Sequence, residues 1–131
     1  MPGKLAPFCV CLALVTGCGS GNAGNASVKR DIERGLAEIQ SVHDRRTLQA
    51  KLTAVVARLR SDQPESDSKR RARTLAIAGF GAKLTSVRAE REFYENDSGQ
   101  VKEATIDAAR ADAFRNRAEV LLRAAKRALE D

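Results

Sequence analysis

Ser41-Val42-His43-Asp44-Arg45-Arg46-Thr47 is a polar interruption between two apolar stripes, and its reading decides the fold. Upstream, Val28, Ile32, Ile39 and Val42 recur at helical spacing; downstream, Leu48, Leu52, Val55 and Leu59 do the same. At about 100° per residue, the second stripe lies roughly opposite the first if the helix is unbroken. The interruption contains neither Gly nor Pro. It is therefore expected to be a kink, or a change of packing partner, inside one continuous helix with an N-cap at Ser27 and an end near Ser61. The alternative is a true break, with Asp44 capping a separate helix. Gln63-Pro64 stops the segment either way, because the residue before a proline is pushed out of the α region.

Toward the C-terminus a second helix should start near Ser66 to Ser68 and end near Asn96. Ile77, Phe80, Leu84, Val87 and Tyr94 follow a three-four rhythm, with Arg91 filling one place. Gly79 and Gly81 sit within it, each costing a helix about 1 kcal/mol against Ala. They are read as permitting close helix approach around Phe80; a hinge or ligand slot is the sharper alternative. Asn96-Asp97-Ser98-Gly99 is the clearest turn, and Asp97 with Gln100 has capping-box spacing. A third helix then runs from about Gly99 to Leu129. Ala104, Ala111, Ala118 and Ala125 recur at a strict interval, flanked by Phe114, Leu121, Leu122 and Leu129. Such a seam lets a neighbouring backbone come closer than the usual ~8–10 Å. The expected fold is all-α: an elongated antiparallel three-helix bundle over residues 27–131. An open helical hairpin completed by dimerisation is the runner-up.

The N-terminal segment reads differently. Lys4 is its single charge, and residues 5–16 are uncharged and mostly apolar. A dozen residues span about 18 Å as a helix, short of the ~30 Å hydrocarbon core of a membrane. That length suits the apolar region of an export signal. Leu14-Val15-Thr16-Gly17-Cys18-Gly19 follows, with small residues before the cysteine. This stretch resembles the lipobox of bacterial lipoproteins, over the first fifth of the chain only. The resemblance implies that residues 1–17 are a cleaved signal peptide and that Cys18 carries the acyl chains as the new first residue. It also implies a cell-envelope location outside the cytoplasm; Gly19 leans toward the outer membrane where the host has one. Val15 stands where Leu is commonest in that family. Two or three acyl chains suffice for stable anchoring. Residues 18–26, rich in Gly, Asn and Ser, should form a flexible tether with an r.m.s. span of about 16 Å.

Composition narrows the function further. The formal charge of +6 falls to +5 if Lys4 leaves with the signal peptide, and aromatics make up only 4% of the chain. Cys9 and Cys11 would leave too and Cys18 would be acylated, so the domain has no thiol and no disulfide. Lys69-Arg70-Arg71-Ala72-Arg73 is the densest basic run. In a three-helix arrangement it falls at the end far from the anchor, with Arg58, Arg60, Arg123, Lys126 and Arg127. Glu90, Glu92, Glu95, Asp97, Glu103 and Asp107 then collect near the anchor. Lys69, Arg70, Arg71 and Arg73 are the candidate contacts for an anionic envelope polymer or an acidic protein. If the chain instead reverses at His43-Asp44, the basic loop moves to the membrane side and reads as a lipid-binding patch.

His43 is the only histidine, so a multi-histidine metal centre is impossible. Ser/His/Asp catalysis would have to route through it with nothing nearby to orient it. No glycine-rich phosphate loop follows a strand. The expectation is therefore a non-enzymatic binding protein without metal or cofactor. A second binding mode docks a partner helix on one of the apolar stripes, as in pilot, adaptor or inhibitor lipoproteins. Homo-oligomers are compatible with both. Nucleic-acid binding by a cytosolic helical protein remains the alternative if Cys18 is not processed.

Overall fold

The computed structural model describes residues 20–95 and 101–131. Cys18, the export segment and the turn expected at 96–99 lie outside them. Among the described residues there are four α-helices and no strand: α1 (Ser20–Gln40), α2 (Arg45–Ser61), α3 (Asp67–Glu95) and α4 (Val101–Glu130). The single first helix expected on both sides of the interruption is two helices.

The break is built by Asp44. Its backbone is extended, at φ −78° and ψ 125°, and its carboxylate accepts from Thr47 N at 2.7 Å. Leu48 N donates to Asp44 O at 2.9 Å, closing the first turn of α2. The gain from reversing is apolar. Val28 and Ile32 of α1 and Leu52, Val55 and Leu59 of α2 are all fully buried in one core. In an unbroken helix the two stripes would oppose each other, leaving one in water. Each such side chain is worth about 1.5–3 kcal/mol when buried. The few hydrogen bonds given up at 41–44 are worth about 0.5–1.5 kcal/mol each. Burial wins without help from Gly or Pro. Ile39 and Leu48 pack against the same core, so all of the two stripes except Val42 is engaged in it.

α1 begins at Ser20, so the residues expected to form a tether belong largely to the helix. Ser27, expected as an N-cap, is instead inside α1, and its hydroxyl donates to Asp62 Oδ1 at 2.5 Å. Gly24 packs directly on the backbone of Gln63 and Pro64. Asn25 Oδ1 accepts from Glu65 N at 3.1 Å and Ser66 N at 3.3 Å. The start of α1 is thus fastened to the turn between α2 and α3.

α3 is the spine. α4 makes its extensive contact with α3, and α1 and α2 pack on α3 and on each other. Rising positions on α3 meet falling positions on α4: Lys69 with Leu129, Gly79 with Leu122, Ser86 with Ala111 and Glu90 with Arg115. Of the alanine row, Ala111, Ala118 and Ala125 are interior as expected, at most 2% exposed, while Ala104 is only half-buried. A Cβ on Gly79 would lie 2.8 Å from Leu122 Cγ, so this glycine is what permits the α3–α4 approach. Gly81 meets nothing within 4 Å and plays no such part. Gly35 does the same service on α1, where a Cβ would lie 2.7 Å from Val55 Cγ1 and 3.0 Å from Phe80 Cζ.

Candidate functional site

The four basic residues singled out by sequence do different jobs. Arg73 donates from Nε to Leu59 O at 2.6 Å and from Nη2 to Arg60 O at 2.8 Å. It caps the C-terminus of α2, where a cation satisfies orphan carbonyls and the helix dipole together. Lys69 donates to Leu129 O and does the same for α4. Arg70 pairs with Asp67 one turn back. Arg71 is exposed and makes no ion pair among the described residues; it shares a surface hollow with Arg127 and Asp131. Two of the four cations at the start of α3, Lys69 and Arg73, are therefore explained by helix capping.

The end of the molecule holding this run is not the one expected. With α1 and α2 separate helices, the α2–α3 turn lies against the start of α1 rather than far from it. The end of α4 joins them: Lys29 and Glu33 of α1 share a hollow with Lys126, Leu129 and Glu130. The expectation of a basic tip remote from the N-terminal side is corrected to a basic end beside it. Acidic neighbours Glu33, Asp67, Glu130 and Asp131 are interleaved, so the excess of positive charge is modest.

A second cluster, which the sequence reading missed, lies toward the other end of α3. Glu90 accepts from Arg115 and, at 3.4 Å, from Arg45 Nε. Arg115 also reaches Asp112 at 2.8 Å. The Arg45 guanidinium lies 4.2 Å from the centroid of the Tyr94 ring, a cation–π contact. Phe93 and Tyr94 meet edge to face at 5.0 Å. A cavity open to solvent is lined by Arg45, Glu90, Phe93, Tyr94, Asp112, Arg115 and the small side chains of Ala108 and Ala111. Burial pushes the Glu90 carboxyl up, but the Arg115 and Arg45 guanidiniums outweigh it and hold it below the usual carboxylate range. Glu90 in turn raises Arg115. Tyr94, expected to continue the apolar stripe of α3, is instead exposed at its end, and the other signal in the sequence was a pair of arginines opening α2. Neither pointed to the other, because they lie on different helices.

His43 is exposed in the α1–α2 turn. Among the described residues no group of His, Cys, Asp or Glu is arranged to hold a metal ion, and no helix is long and apolar enough to cross a membrane. No family model, curated protein or solved structure matches the chain.

Proposed function

We propose that the chain is an exported bacterial lipoprotein, acylated at Cys18, whose helical domain works by binding and not by catalysis. In this reading the helices alternate up and down, and the basic end faces the membrane. The observation that carries it is the docking of α1's first turns on the α2–α3 turn through Gly24 and Asn25. Cys18 precedes Ser20 by two residues, which reach at most about 7 Å. An acylated Cys18 would therefore hold Lys29, Arg71, Lys126 and Arg127 near the headgroups. Each basic residue close to an anionic surface contributes about 1 kcal/mol. The far end, with Arg45, Glu90, Tyr94 and Arg115, then points away from the bilayer, available to a partner.

The test is the intact mass of protein extracted from membranes in detergent, beside a Cys18→Ala variant. The expected product begins at Cys18, carries added acyl mass and disappears in the variant. A full-length, unprocessed chain in the cytosol would overturn the reading and bring the nucleic-acid alternative forward.

A further inference from the structure

We infer that the cavity beside Tyr94 is a binding site for a carboxylate carried on an apolar group, with Arg45 as its recognition residue. Arg45 arrives from the first turn of α2, where a cation opposes the helix dipole. Its position there is not explained by α2 itself. It is explained by the site: Nε is held by Glu90 and the guanidinium plane by the Tyr94 ring. Both contacts leave the two terminal nitrogens unused, and among the described residues nothing bonds them. That pair is a planar fork, fixed in advance, with the geometry of a bidentate carboxylate contact.

The ion pairs are shared unevenly. Arg115 is held by both acids of the cavity, Glu90 and Asp112, the latter at 2.8 Å. Arg45 has only its Nε contact with Glu90, at 3.4 Å. The four charges balance, so what the site leaves over is the bonding capacity of the Arg45 fork. Beside the fork, the edge-to-face pair of Phe93 and Tyr94 and the small side chains of Ala108 and Ala111 give an apolar wall with room above it. Tyr94 is 60% exposed, an aromatic at the surface 4.2 Å from the Arg45 guanidinium. Tyr and Arg are the side chains that most often dominate binding energy at such places. A bare inorganic anion would gain nothing from the wall, and an uncharged apolar group would leave the fork unused.

The chain has one tyrosine and no tryptophan, so its intrinsic emission reports on Tyr94 alone. The experiment titrates the purified protein with N-acetyl-leucine, which carries a carboxylate on an apolar group and is transparent where tyrosine absorbs. N-acetyl-leucinamide is its neutral twin. The acid should change the emission saturably, with a Kd of about a millimolar for so small a ligand; the amide should not. Arg45→Ala should weaken binding about tenfold or more, and Arg45→Lys nearly as much, because lysine keeps the charge and loses the fork. If Arg45→Ala loses helicity, Arg45→Lys decides. A tetrapeptide ending in leucine that binds more tightly than the single residue identifies a chain terminus as the natural source; equal binding identifies a free acid. Either supports the site. Equal response to acid and amide, unchanged binding by Arg45→Lys, or no saturable response up to about 10 mM acid overturns it.

Discussion

Gly79 and Gly81 lie two positions apart on one helix, yet the residue scale separates them completely. The backbone N of Leu122 would sit 3.2 Å from a Cβ on Gly79, and its side chain closer still. Gly79→Ala must push α3 and α4 apart, at a cost of about 1–3 kcal/mol. Gly81 has open space, so Gly81→Ala should stabilise by about 0.4–1 kcal/mol through helix propensity and a less flexible unfolded chain. Urea unfolding of the two variants should move in opposite directions; movement in the same direction would mean the α3–α4 approach is wrong. Glu90 yields a pH prediction of definite sign. Its carboxyl is lowered from 4.5 in the folded protein, so its contribution is fully present above about that pH and is lost as pH falls through the lowered value. Glu90→Gln should cost about 1–3 kcal/mol near neutral pH, since it takes the charge partner from Arg45 and one of two from Arg115. It should also flatten the acid limb of stability below the ordinary glutamate range. An unchanged acid limb would mean that Arg45 and Arg115 do not hold Glu90 in solution.

At the scale of elements, what the sequence made legible was local. Most of the alanine row of α4, the stop before Pro64 and the start of α3 between Ser66 and Ser68 rest on neighbours in sequence, and each appears in the structure. The break at Asp44 was visible only as two stripes out of phase. Propensity favoured continuity, and long-range burial overrode it. The Arg45–Glu90–Arg115 cluster was harder still, since it joins residues from three helices. The break has a direct test. Lys29 of α1 and Lys126 of α4 line one hollow in the four-helix arrangement. With a continuous first helix of about thirty-five residues they would lie at opposite ends, roughly 50 Å apart. Cysteines at these two positions, with Cys9, Cys11 and Cys18 replaced, should cross-link efficiently with a short reagent. Failure to do so in a helical, monomeric sample would restore the unbroken helix.

For the whole molecule the reversal at Asp44 exchanges the meaning of the two ends. The basic run loses part of its free charge to capping, because Lys69 and Arg73 are spent on the carbonyls of Leu129, Leu59 and Arg60. What remains exposed near the start of α1, with no ion pair among the described residues, is Arg71, Lys126 and Arg127, with Arg60 on the last turn of α2. If an acyl anchor at Cys18 fixes that end to a bilayer, attraction to anionic headgroups and the covalent tether act in the same sense, and the molecule has one preferred orientation. Single cysteines at Arg60 and Arg46 report it, because they lie at opposite ends of α2. On vesicles containing anionic lipid, maleimide labelling of the Arg60→Cys protein should slow severalfold relative to detergent, while that of Arg46→Cys should not change. Raising salt to about 1 M shrinks the screening length to about 3 Å. The acyl chains survive that treatment and the headgroup attraction does not. Protection at position 60 should therefore fall while the protein stays bound. Equal labelling at both positions in low salt would mean that the domain tumbles freely on its anchor, and the modest excess of charge would then be a solvated face.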